Sequence, residues 1–334
     1  MDTSKISEEE RIRMVERMYV GFPRFTRISE KIEYCHQHSK IAAEPECLLI
    51  TGNTGAGKTT LCKAYAGRYP RQMGAEGLMV PVLSTSLPAL ATAKSVVTRL
   101  LSALGDPAPH RGSQNHQTLR LTKLIEECGV ELIILDEFQH FIDRDSNNVL
   151  QNVANWLKEL LNETGVPMIL VGMPYSETIL RANGQLERRF TVREQLTPFG
   201  WESAEQQHEF RMFLQYLDEL LPLPARSNLS DQEIAFRIYC ATLGITGYVM
   251  KLIRRAAVIA VMRSMESVGI ELLGEVYEER VASWKGGDVN PFTASGADLK
   301  PALLNVEEQL GRHYGGPKVK SRGTHGASGV LSRR

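Results

Sequence analysis

Gly52-Asn53-Thr54-Gly55-Ala56-Gly57-Lys58-Thr59 satisfies the pattern G-x-x-x-x-G-K-[ST] at every fixed position and follows directly on the apolar run Cys47-Leu48-Leu49-Ile50. An apolar strand, a glycine loop and a helix presenting Leu61, Ala64 and Tyr65 form the context in which this spacing binds a nucleoside triphosphate. The glycines let backbone N–H groups turn onto the β-phosphate, Lys58 reaches the β and γ oxygens, and Thr59 offers its hydroxyl to Mg²⁺. The helix opening at Lys58 adds the positive end of its dipole. Gly52, Asn53, Thr54, Gly55, Ala56, Gly57, Lys58, Thr59 and Thr60 are therefore the expected ATP-contacting residues.

Working outward, Val130-Glu131-Leu132-Ile133-Ile134-Leu135-Asp136-Glu137 is an apolar run ending in two carboxylates. It reads as a buried parallel strand that delivers acids to its carboxyl end, where ligands of open α/β sheets bind. Asp136 is expected to share Mg²⁺ with Thr59, and Glu137 to polarise the attacking water. Together the two elements favour an ATPase over mere nucleotide binding.

The 334 residues are 43% apolar and 23% charged, which suits one main globular domain with a smaller companion. Formal net charge is zero, so contact with DNA has to come from a local patch. The opening residues lack the apolar core of a secretion signal and no run reaches membrane-span length, so a soluble, cytoplasmic protein is expected. Five scattered cysteines without a C-x-x-C pair argue against a disulfide framework or a zinc site.

Strand and helix signals alternate from the phosphate loop through 78–83, the acidic strand and Val166–Gly172, which predicts a parallel three-layer α/β sheet with right-handed crossovers. Residues 1–45 read as a helical lead-in broken at Gly21-Phe22-Pro23, 46–200 as the nucleotide domain, and 201–285 as a helical lid with stretches near 204–221, 230–243 and 247–266. Residues 286–334 form a tail expected to be partly disordered; 311–334 carry Lys and Arg but no acid.

In this order and spacing the chain resembles an AAA+ ATPase and, more narrowly, the TniB/TnsC transposition regulators. The resemblance covers about residues 20–270. It is carried by Gly21-Phe22-Pro23-Arg24, Val80-Pro81-Val82, Cys128-Gly129-Val130-Glu131 leading to Leu135-Asp136-Glu137, Leu170-Val171-Gly172, Gln185 through Phe190, and Gly247 through Ala256-Ala257. It implies an AAA+ fold with an all-helical lid, and a homo-oligomeric ring or filament on double-stranded DNA. It further implies a DDE transposase as partner, with a target-selection protein or guide-RNA complex upstream. Arg189 is then the arginine finger, with Arg188 as the fallback. Lys94, Arg111 and Ser113 become sequence-independent contacts to DNA phosphates. At the polar sensor position after Leu170-Val171-Gly172 this chain has Met173-Pro174, and at the lid sensor it has Gly247-Tyr248 with Lys251 further on. Tyr248 is the expected lid contact to nucleotide, and turnover is expected to be slow. Two rival readings stay open: a helicase loader or IstB-like helper, and a signalling NTPase switch without DNA binding.

Overall fold

The computed structural model describes residues 6–75, 77–141, 147–280, 289–295 and 299. The tail expected at 311–334 lies outside them. Helix α1 (Glu8–Arg17) starts at Ser7, whose hydroxyl accepts from the Glu10 N–H at 3.2 Å, and carries three glutamates in its first turn, where they meet the helix dipole favourably. The Gly21-Phe22-Pro23 turn breaks the lead-in, and Pro23 opens α2 (Pro23–His38) at the first helical position, where its missing N–H costs nothing.

Strand β1 (Leu48–Gly52) then enters the glycine loop and α3 (Lys58–Ala66) leaves it. A short antiparallel hairpin, β2 (Gln72–Gly74) with β3 (Gly77–Met79), precedes β4 (Val82–Ser86). Helices α4 (Ala93–Ala103) and α5 (Gln114–Glu127) lead to β5 (Leu132–Asp136), then α6 (Asn147–Thr164) to β6 (Met168–Gly172). Two short helices, α7 (Glu177–Arg181) and α8 (Gly184–Arg189), bring the chain to β7 (Val192–Leu196). The main sheet has the order β4-β5-β6-β1-β7 and is parallel throughout. Alternate residues of each strand face different cores: Ile50, Ile134 and Val171 join the one shared with the lid, and Leu49, Ile133 and Leu170 the one under α4, α5 and α6. This is the expected three-layer α/β architecture.

Three details differ from the sequence reading. The stretch 78–83 is not one strand: Pro81, which has no N–H to give, separates hairpin strand β3 from sheet strand β4. The fifth strand, β7, was not anticipated beside β1. The helical part, α9 (Ala204–Leu220), α10 (Gln232–Thr242) and α11 (Thr246–Met262), continues into a fourth helix, α12 (Ile270–Arg280). Among the described residues no helix is long and apolar enough to cross a membrane.

An aromatic knot joins lead-in, sheet and lid. The Phe22 ring packs edge-on to Phe199, Phe213 and Tyr216 at 5.5–5.7 Å between centroids. Arg24 lies over the Phe199 ring at 4.3 Å, forks onto Glu209 of α9 and donates to the Thr197 carbonyl. The chain leaves α10 through Gly244, whose carbonyl accepts from Phe199 N–H at 2.9 Å and whose φ is +66°.

A second buried junction fixes α2 against α3 and the start of β5. His36 is fully buried; its Nδ1 meets Tyr65 Oη at 2.8 Å and its Nε2 meets Glu131 Oε2 at 3.0 Å. A carboxylate only accepts, so Nε2 carries the proton and Nδ1 accepts from the tyrosine. Burial, opposed by Glu131, holds the imidazole below its ordinary 6.5. The unfolded chain therefore binds a proton that the folded chain refuses, and stability declines as pH falls below that value. Glu131 is held below the ordinary carboxylate range: burial opposes this, but hydrogen bonds from Lys40 and His36 outweigh it, so its contribution disappears only at lower pH. Denaturant unfolding at about pH 7.5 and about pH 5.5 should show a loss of stability in the parent that shrinks in His36→Gln. An equal loss in both proteins would remove His36 from the account.

Candidate nucleotide site

The loop between β1 and α3 places two glycines in the left-handed region, Gly55 at φ +82° and Gly57 at φ +96°, which is how its N–H groups come to face one concavity. Lys58 is 8% exposed, and its ammonium folds back to donate to the carbonyls of Gly52 at 2.6 Å and Asn53 at 3.1 Å. Burial lowers its pKa, opposed by the charges of Glu137 and Asp136.

The end of β5 comes to the same place. Thr59 Oγ1 donates to Asp136 Oδ2 at 2.6 Å, and Asp136 Oδ1 accepts from the Glu137 N–H at 2.8 Å. Glu137 is a non-glycine residue at φ +58°, a conformation that costs about 1–2 kcal/mol and recurs at functional sites. That turn carries its carboxylate out of the strand direction, where Gln139 of the short helix Phe138–Phe141 donates to it. Among the described residues no group of three or more His, Cys, Asp or Glu forms a metal cage. A hydroxyl and a carboxylate in contact beside a phosphate loop nonetheless fit a hard cation that takes most of its ligands from water and phosphate, as Mg²⁺ does.

Beside the loop opens a cavity of about 620 Å³, walled by Tyr19, Val20 and Phe25 from the lead-in, Gly57 and Thr60 from the loop and α3, and Gly247, Met250, Lys251 and Arg254 from the lid. Its size and mostly apolar lining suit a nucleoside. None of the lead-in residues was singled out from sequence; the Gly21-Phe22-Pro23 turn next to Tyr19-Val20 was the available signal. Arg254 is anchored by donating to the Met18 carbonyl. Tyr248 is not part of the lining; its ring lies 5.1 Å from the Lys251 ammonium, and Lys251 does line the cavity. The lid touches the loop backbone itself: Gly247 N–H donates to the Gly55 carbonyl at 2.7 Å, and a methyl group on Gly247 would lie 3.0 Å from Gly55 Cα.

Past β6, Met173 and Pro174 occupy the polar sensor position. The Met173 sulfur lies 3.9 Å from Thr54 Oγ1 of the loop, and its N–H is taken by Gln139. Arg189 sits elsewhere. It ends α8 just before β7, and Val192 of β7 pairs with Leu48 at the start of β1. Arg189 is therefore at the amino edge of the sheet, about five residues or roughly 16 Å of strand from its own loop. There its Nη1 is 2.9 Å from Glu44 and its side chain is 22% exposed, whereas Arg188 is exposed.

The candidate DNA contacts come together through topology. Helix α4 starts after the carboxyl end of β4 and α5 ends before β5 begins, so both run antiparallel to the sheet and parallel to each other. Gln117 Nε2 donates to Thr98 Oγ1 at 3.1 Å, one turn below each helix start, which sets Lys94 and Ser113 side by side. Lys94, Arg111 and Ser113 are all exposed; the Ser113 hydroxyl caps α5, accepting from His116 N–H at 3.4 Å. Residues 88–125 hold five Lys and Arg against one acid in a chain of zero net charge.

The family model described as bacterial TniB protein matches residues 11–200. Solved structures with the same fold include the ORC2 protein of Aeropyrum pernix, in ADPNP-ADP complexes (17% identity, 80% of this chain and 71% of that one, TM-score 0.57), and Cdc6p of Pyrobaculum aerophilum (12% identity, 90% and 84%, TM-score 0.56). They mark the architecture as the AAA+ P-loop fold with a helical C-terminal region. No curated protein matches the chain in sequence.

Proposed function

The chain belongs to the TniB family, and from that premise we propose that it is an ATP-hydrolysing regulator of DNA transposition that assembles on duplex DNA and recruits or activates a DDE transposase. The observation that carries the chemistry is the contact of Thr59 with Asp136 at the mouth of the phosphate loop, with Glu137 turned beside it. Lys58 exchanges its two loop carbonyls for phosphate oxygens, Thr59 and Asp136 would hold Mg²⁺, and Glu137 orients and deprotonates the attacking water. Mg²⁺, when held there, would supply charge neutralisation for phosphoryl transfer.

Arg189 points to a shared site. A guanidinium at the amino edge of the sheet is too far from its own loop to reach its phosphates, so it serves a neighbouring subunit, leaving Glu44 as the interface forms. The exposed Arg188 next to it is the fallback. ATP at such an interface orders a ring or filament, and hydrolysis dismantles it. A target-selection protein or guide-RNA complex then directs where it assembles.

The paired amino ends of α4 and α5, with Lys94, Arg111 and Ser113, suit phosphate oxygens and offer no reading of base edges. Duplex of random sequence should bind in the presence of a non-hydrolysable ATP analogue. Lys94→Ala should weaken that binding equally on unrelated sequences and flatten the slope of log K against log salt by about one unit. Lys94→Ala with parental affinity and slope removes this surface from the interface. Absence of duplex binding in the parent supports the signalling switch, and co-purification with a replicative helicase instead of a transposase supports the loader.

A further inference from the structure

We propose that Gln139 is a positioning residue for hydrolysis, fixing Glu137 and tying it to the exit of β6. This inference rests on Glu137 acting on the attacking water. Gln139 is 7% exposed, two residues beyond Glu137 and between the fully buried Phe138 and Phe141. Its Nε2 donates to Glu137 Oε2, and its Oε1 accepts from the Met173 N–H at 3.1 Å. Those two partners allow one orientation of the carboxamide. Reversed, it would set its oxygen against a carboxylate and its NH₂ against an N–H.

The backbone has made room for the arrangement. At Gly172, the last residue of β6, a Cβ would lie 3.0 Å from Gln139 Oε1, 3.3 Å from Gln139 N and 2.4 Å from Ser176 Oγ. A side chain there would force the Ser176 hydroxyl aside and press on the carboxamide, which has to give by a few tenths of an ångström. The side chain that follows β6, Met173, has no hydrogen-bond donor, and the polar side chain that meets both its N–H and the Glu137 carboxylate is Gln139.

The consequence is mechanical and chemical together. Glu137 departs from the strand in a left-handed turn, and a carboxylate on such a turn has rotamers that point away from the loop. One amide proton of Gln139 restrains it, while the same side chain registers the position of Met173, whose sulfur lies against Thr54 of the phosphate loop. Loop, β6 exit and Glu137 carboxylate are linked through one amide.

The test uses the full chain with ATP and duplex DNA. Gln139→Leu keeps the size and removes both hydrogen bonds; it should lower kcat about tenfold with KM and ATP-analogue affinity unchanged. Gln139→Asn, too short to span both partners, should fall in the same direction and serves if the leucine variant fails to fold. Gly172→Ala should reproduce part of the loss.

A restraint acting through Glu137 loses its value when that carboxylate is gone. The residual turnover of Glu137→Gln should therefore not drop further when Gln139→Leu is added. A further drop shows an effect through the fold and overturns the proposal, as does turnover of Gln139→Leu or Gln139→Asn at or above the parental rate. If Glu137→Gln itself turns over at the parental rate, the reading of Glu137 has failed. If it falls and the Gln139 variants do not, only the present inference has failed.

Discussion

Glu137→Gln is expected to lower ATP turnover by about a hundredfold or more while leaving ATP binding intact. The reasoning begins at the backbone. Glu137 makes no contact with Lys58 or Thr59 that the loop needs to hold phosphates: Lys58 rests on the carbonyls of Gly52 and Asn53, and Thr59 rests on Asp136. Removing the carboxylate charge at 137 therefore spares ground-state binding and withdraws the group that orients and deprotonates water. Glutamine keeps the length of the side chain and still accepts from Gln139 through its amide oxygen, so the φ +58° turn is undisturbed. Lys58→Ala serves as the contrast: on the proposed reading Lys58 would contact phosphate oxygens in ground and transition states alike, so its loss should remove binding first. Phosphate release at saturating ATP, together with equilibrium binding of a fluorescent ATP analogue, separates the two. Glu137→Gln that hydrolyses at the parental rate refutes the assignment.

Gly244→Ala is expected to destabilise the protein by roughly 3 kcal/mol or more, a large share of the 5–15 kcal/mol typical of a folded domain. Two costs add. The residue sits at φ +66°, where a Cβ costs about 1–2 kcal/mol. That Cβ would also lie 2.1 Å from the Phe199 carbonyl oxygen and 3.0 Å from the Tyr239 ring, and a backbone oxygen has no rotamer by which to retreat. Displacing it breaks the bond from Phe199 N–H to the Gly244 carbonyl and opens the knot formed by Phe199 with Phe22, Phe210 and Phe213. Trp201 stacks on Tyr239 at 5.4 Å beside this knot, so its fluorescence reports the transition. The urea midpoint should fall by about 1 M. A change below about 0.5 kcal/mol means that the hinge yields and that the packing argument is wrong.

Much of the fold was legible because its central strands are continuous apolar runs. Leu48–Ile50, Leu132–Leu135 and Met168–Val171 are buried on both faces, and nothing in them competes with that reading. Strand β7 was illegible for the opposite reason. Val192-Arg193-Glu194-Gln195-Leu196 lies at an edge and presents Glu194 inward, where its carboxylate is only 9% exposed and is met by Lys31 and Arg27 of α2. A charge at an inward position hides the alternation that marks a half-buried strand, and the cations that make it tolerable lie more than 160 residues away. At the site, the loop and the two acids were plain because contiguous spacing encodes them. The cavity beside the loop and Gln139 were not: the cavity is assembled from five stretches far apart in the chain, and Gln139 looks like one polar residue among phenylalanines until Met173 is brought beside it.

The contact between Gly247 and Gly55 works as a coupling of very low compliance. Side chains that join two moving bodies absorb displacement by changing rotamer, whereas here one main chain bears directly on another, with no Cβ on either side. A tilt of α11 should therefore be felt directly at the phosphate loop, and a shift of the loop should be felt at the lid. In the ring or filament proposed above each lid would act as a stiff lever, by which nucleotide occupancy in one subunit would bear on the pitch at which the next is held.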